Sequence, residues 1–258
     1  MSAAYHVFEY HLWSYRRIWR GTLFSTFLSP ILFLAAMGIG LGTFVDRGSG
    51  AGALDGVSYA AFLAPGLLAG QAMQTAGFES TYPIMGALVW DRTFHGMLAT
   101  PITIPSLVLG QLAWIAVRLT LVASVFFGVM VAFGLVISPF GVLAIPVAVL
   151  TGLAFAAPIT AFAATQRNDQ AFAALFRFGL TPMFLFSGTF FPIDQLPDKL
   201  QLVAELLPLH HGVALARHLC LGDPASTGEQ VAHIAVLSTY VVVGVAASLV
   251  TFRRALVK

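Results

Sequence analysis

Three ionisable side chains, Glu79, Arg118 and Arg177, stand inside runs of sequence that are otherwise apolar. A charge in hydrocarbon costs about 2.5–3.5 kcal/mol on insertion scales, so such a group faces a protein interior, a watery cavity or a partner. Glu79 falls about four residues before the inner end of its run, and Arg177 about six residues into another run from the same side. Their similar depths make them an expected pair. Three roles stay open for these two: a structural ion pair, snorkelling to inner headgroups, or contact with an anionic or sugar-bearing headgroup. Arg118, about fourteen residues into its run, is harder to explain by snorkelling. It reads as a bundle-interior or pathway-lining charge.

Other reactive side chains support chemistry less well. His210, His211, His218 and Cys220 cluster in sequence, but their spacing matches no common zinc pattern, and no metal is expected. Ser187 in "FSGTF" is not a G-x-S-x-G elbow. An intramembrane lipid-modifying enzyme, using His210 or His211 near Asp194, is the alternative of a different class. The sequence contains no G-x-x-x-x-G-K-[ST], hence no phosphate-cradling loop of the Walker type. ATP chemistry, if used, belongs to another chain.

The most concentrated set of functional residue types is "WDRTFHGMLATP", residues 90–101, lying between two long apolar stretches. Read as a helix, it puts Trp90, Phe94 and Met97 at i, i+4 and i+7 on one apolar face, with Asp91, Arg92 and His95 away from it. Pro101 ends the turn by removing a backbone donor and pushing Thr100 out of helical geometry. Such a helix either presents a knob to a soluble partner or tucks against the headgroups.

The elements that position these residues follow from composition. Of 258 residues, 58% are hydrophobic and 9% charged, too greasy a balance for a water-soluble globule of this size. Apolar blocks near 22–44, 57–83, 104–136, 141–166, 171–192 and 231–252 give six candidate spans of the roughly 20 residues a bilayer core requires. The fold class is all-α and polytopic. The inner segments hold Arg16, Arg17, Arg20, Arg92, Arg167, Arg253, Arg254 and Lys258, whereas the outer ones hold Arg47, Lys199 and Arg217. Both termini are therefore expected in the cytoplasm. The net charge of +2 gives no hint of nucleic acid, and the single cysteine excludes an intrachain disulfide.

Two stretches are expected to lie at the interfaces rather than to span. Residues 1–21 carry Val7, Phe8, Leu12, Tyr15 and Trp19 at helical spacing among charges, which reads as an inner interfacial helix or a generic basic, aromatic anchor. Three arginines and Glu9 ahead of a full-length span argue against a cleaved signal. Residues 22–258 form the transmembrane domain. Within it, residues 192–222 are too polar to span, and Leu196, Leu200, Val203 and Leu207 followed by Pro208 read as two short helices dipping into the outer leaflet.

The stretches "FESTY" (78–82), "WDRTFHGMLATP", "LVLGQLAWIAVR" (107–118), "FSGTFFPIDQLP" (186–197) and "LLPLHHGVALARHL" (206–219) occur here in order. As a set they resemble the permease subunits of ABC-2 type exporters, particularly the lipo-oligosaccharide and nodulation-factor branch, and are similar also to daunorubicin-resistance-type permeases. The resemblance spans about residues 20–252. It implies a six-helix permease of the bacterial inner membrane that pairs with a second permease copy or paralogue and with two copies of an ABC ATPase carrying ATP and Mg. It also implies that residues of about 90–100 form the coupling helix on the ATPase and that the outer re-entrant segment closes the mouth of the pathway. The cargo would be a lipid-linked, glycolipid or other amphipathic molecule, with a hydrophobic drug as the alternative. Gln111 departs from the family, where an acid often stands, so a charge pair made there is in question. A secondary transporter would favour inverted repeats, and no convincing repeat is visible.

Overall fold

The structure, a computed structural model, describes residues 3–36, 40, 57–222 and 226–257. The first outer loop, with Asp46, Arg47 and Asp55, lies outside them, as do Asp223 and Lys258. All regular structure among the described residues is helical. Three helices, Ile104–Ala132, Pro139–Ala163 and Thr227–Leu256, are long and apolar enough to cross a membrane. The chain is an all-α, polytopic membrane protein.

Helix α1 (Ala3–Leu34) runs on past residue 21, so no break separates the residues read as an interfacial helix from those that follow. Its first turns lie along a later helix. Helix α2 (Tyr59–Glu79) starts where the amide of Ala61 donates to the Ser58 hydroxyl at 3.3 Å. It stops at Ser80–Thr81 and resumes as α3 (Tyr82–Met85), with a π-helical stretch continuing through Gly86–Trp90. The descending arm thus reaches Trp90, seven residues beyond the end expected from the apolar run. The short helix α4 (Thr93–Leu98) follows, and then α5 (Ile104–Ala132), capped by Thr103 and started by Pro105.

A 3-10 turn at Pro139–Leu143 leads into α6 (Ala144–Ala163), the hub of the bundle, which packs on α2 and α5 and on two helices near the C-terminus. The segment 170–186 follows as α7 (Gln170–Ala174), a π stretch (Leu175–Leu180) and α8 (Thr181–Phe186). The polar segment forms α9 (Asp198–Leu206) and α10 (Pro208–Leu221), which meet at Pro208. Gly222 ends α10 in the left-handed region at φ +79, and the amides of Ile137 and Ser138 donate to Cys220 O at 2.9 and 3.0 Å. Helix α11 (Thr227–Leu256) begins with a reciprocal capping box of Ser226 and Glu229.

With lipid tails as apolar as leucine, close backbone approach does much of the packing in such a bundle. Gly244 of α11 rests on Pro158 of α6, where a Cβ would come within 2.6 Å of the proline ring. One turn on, the Ser248 hydroxyl donates to Ala157 O at 2.9 Å, so the α6–α11 seam is both tight and hydrogen-bonded.

Candidate functional site

The connector keeps its helix but not its expected apolar face. Residues Gly86–Trp90 are π-helical, and Arg92 takes a left-handed φ of 51, the positive φ of a non-glycine among the described residues. Those two irregularities break the helical register, so Trp90 and Phe94 do not share a face as the spacing predicts. Trp90 is 58% exposed, whereas Phe94 is 1% exposed and packs on Phe252 of α11 with ring centroids 5.8 Å apart. Phe94 is therefore no outward knob. Asp91, Arg92 and His95 are exposed and Met97 is half-buried, packed against the core. The outward surface is Trp90, Asp91, Arg92 and His95, anchored from behind by Phe94.

The intramembrane charges are also re-sorted. Glu79 does not pair with Arg177; its carboxylate accepts from Arg118 Nε at 2.9 Å. The reason is depth. Because the second arm continues to Trp90, Glu79 lies eleven residues, roughly 16 Å, from that end, close to the roughly 21 Å of Arg118 from the start of α5. Arg177, seven residues into the 170–186 segment, lies nearer the connector end of the bundle, and is exposed beside Phe178, itself 76% exposed. It is not a buried charge.

Sequence reading missed the third member of the Glu79–Arg118 group. Arg118 Cζ lies 4.6 Å from the ring centroid of Tyr15, which in turn packs edge-on against Trp114 at 5.5 Å. Two turns earlier in α1, Val7 and Ala4 close on Gly110. Residues 4, 7 and 15 thus climb α5 in step with 110 and 118, and α1, α2 and α5 meet at one charge pair. The available signal was the aromatic spacing of α1, which had suggested headgroups rather than a neighbouring helix.

At the other end, His211 Nδ1 lies 2.7 Å from His233 Nδ1, with the His210 ring 5.4 Å from that of His211. The two Nδ1 atoms share one hydrogen bond, so one ring donates and the other accepts. Burial, then the neighbouring His211, His233 and Arg217, push His210 down to about 4, and burial also lowers His211. No group of three His, Cys, Asp or Glu side chains among the described residues has the geometry to hold a metal ion. Arg217, read from sequence only as an outer positive charge, donates to Gly188 O at 2.8 Å and Phe62 O at 3.3 Å and stacks 3.8 Å from the Phe62 ring. It ties α10 to α2 and to the loop after α8. Ser187 donates to Met183 O, a local helix-end bond rather than a catalytic arrangement.

Comparison with known proteins fits this architecture. Residues 4–221 match the model of the ABC-2 type transporter family. The chain is similar to Nodulation protein J of Rhizobium leguminosarum bv. viciae, 35% identical over 244 residues, covering 92% of this chain and 88% of that one. It is similar also to Nodulation protein J of Rhizobium meliloti, 33% identical over 263 residues with 95% and 94% covered, and to that of Azorhizobium caulinodans, 28% identical over 233 residues with 90% and 88% covered. With helices long and apolar enough to span and a connector locked to the last of them, the chain belongs to the ABC-2 type transporter family, as a permease subunit.

Proposed function

We propose that this permease moves a lipid-linked, glycolipid or similar amphipathic cargo outward, driven by two copies of a separate ABC ATPase, and that residues 90–100 receive the ATPase motion. The carrying observation is the join between Phe94 and Phe252. An exposed patch of Trp90, Asp91, Arg92 and His95 sits on a turn whose buried ring is packed into the last helix. Displacement of the patch is thus passed on through close-packed contacts rather than lost in loop motion. The cargo class rests on the resemblance of the ordered motifs to lipo-oligosaccharide exporters. It is supported by the exposed face at Arg177 and Phe178, which offers a cation beside aromatic surface to a head-and-tail molecule.

The working unit in this reading has six spans per permease, two permeases, both termini in the cytoplasm of a bacterial inner membrane, and the α9–α10 segment at the outer mouth. The test is copurification of the partner ABC ATPase with Trp90→Ala/Arg92→Glu, compared with the unsubstituted permease. The substituted protein should insert and stay folded, because both side chains point outward, yet lose ATPase association and cargo-dependent hydrolysis. Full association with undiminished export would remove the coupling role.

A further inference from the structure

The connector after α2, the turn after α6 and the end of α11 converge on a cavity of about 360 Å³, which shares only His95 with the patch assigned to coupling. Leu88, Val89 and His95 come from the π stretch and α4, Ala164 to Arg167 from the turn after α6, and Thr251, Arg254 and Ala255 from the last turns of α11. Its charged lining is all of one sign, the guanidiniums of Arg167 and Arg254 with no carboxylate, and the His95 imidazole lies beside them. Asp169 lies two residues beyond Arg167 without lining it, and among the described residues neither Arg167 nor Arg254 forms an ion pair. The walls between the cations are apolar, from Leu88, Val89, Ala164 and Ala255. The Thr165 and Thr251 hydroxyls and the Gln166 amide also line it, already donating to Phe162 O, Ala247 O and the Thr165 hydroxyl, which leaves the two guanidiniums as the donors for a ligand.

We infer that this cavity holds the phosphodiester headgroup of an anionic phospholipid of the inner leaflet. Its place at the inner ends of α6 and α11 is at headgroup depth, and basic pockets between helices on the cytoplasmic side are where such headgroups bind. A phosphate offers several acceptor oxygens to Arg167 and Arg254, while the glycerol carbons suit the apolar walls. An acidic loop of the ATPase would satisfy the charges but has less use for those walls. A bound headgroup would pin together the three connectors that must move in transport. Occupancy is read on the permease alone, so its failure is distinct from failure of the coupling reading.

Purified permease in nanodiscs of phosphatidylcholine, with and without phosphatidylglycerol, provides the test. Native mass spectrometry should find phosphatidylglycerol retained by the unsubstituted protein. Arg167→Gln/Arg254→Gln should bind it roughly tenfold or more weakly, the cost of losing charge-assisted hydrogen bonds. Arg253→Gln is the control, since Arg253 is adjacent, equally charged and lines a different cavity. It should retain the lipid. A photoactivatable phosphatidylglycerol on the unsubstituted protein should crosslink to residues 88–95 and 164–167, a readout that needs no variant to fold. Equal retention by the double variant, equal loss with Arg253→Gln, or crosslinks confined elsewhere would overturn the assignment. So would displacement of the lipid by millimolar inorganic phosphate, which would mark a free-anion site. Unchanged lipid retention with loss of ATPase copurification in the double variant would assign the cavity to the ATPase instead.

Discussion

Arg118 donates to Glu79 with side chains only 11% and 20% exposed, so removing either partner strands a charge where water is scarce. Glu79→Gln and Arg118→Gln should each destabilise the permease by about 3 kcal/mol, and the double change by less than their sum. A double-mutant cycle on unfolding in mild detergent measures this, and strict additivity would remove the pair. Glu79→Gln with Arg177→Gln should be additive, because Arg177 faces outward. The presence of a buried acid and base was legible in the sequence. Their partnership was not, because it depended on how far the second arm continues after Ser80 and Thr81. No apolar pattern encodes that continuation: Thr81 holds the break by donating its hydroxyl to Gly77 O at 2.9 Å, and a π-helical stretch then carries the chain on to Trp90.

The elements themselves were easier to read than their registers. Apolar runs longer than a bilayer core, and Pro208 between two amphipathic stretches, located the helices well among the described residues. The connector shows the limit. A 3.6-residue count put Trp90 and Phe94 together, and a left-handed Arg92 separated them. Phe94→Ala should therefore cost about 3–4 kcal/mol as a core truncation, whereas Trp90→Ala should cost far less, within what an exposed site allows. Thermal unfolding of the two variants in the same detergent decides this; equal losses would return Phe94 to the surface.

The α10–α11 junction carries its own pH dependence. The His210 pKa is held near 4 in the folded chain against an ordinary 6.5. The unfolded chain therefore binds more protons between those values, and stability from His210 is full above pH 6.5 and lost as pH falls towards 4. Other groups facing the junction are His211, Arg217 and His218 of α10, His233 and Glu229 of α11, and Glu205 of α9. Unfolding midpoints should drop between pH 7 and pH 5, and His210→Gln should flatten that drop. An unchanged slope in the variant would move the effect to another group.

At the scale of the whole molecule, the seam between α6 and α11 fixes how the two ends communicate. Gly244→Val should force the helices apart at Pro158, lowering the unfolding temperature by several degrees, about what 1–3 kcal/mol of overpacking gives. Retained stability would mean the seam is looser than the 2.6 Å approach implies.

Helix α11 bears Phe252 against Phe94 near one end, Ser248 and Gly244 on α6 along its length, and His233 against His211 near the other. At 30 residues it is a strut about 45 Å long, held at three points. A strut so held cannot shift at one end without tilting at the other, which makes the two membrane faces mechanically dependent without any signal passing through the cargo path. Cys220, the chain's single thiol, is buried on the helix abutting that far end, its pKa pushed up to about 12 by burial. It is a native gauge of the lever: its slow alkylation should quicken when Phe94→Ala frees the opposite end.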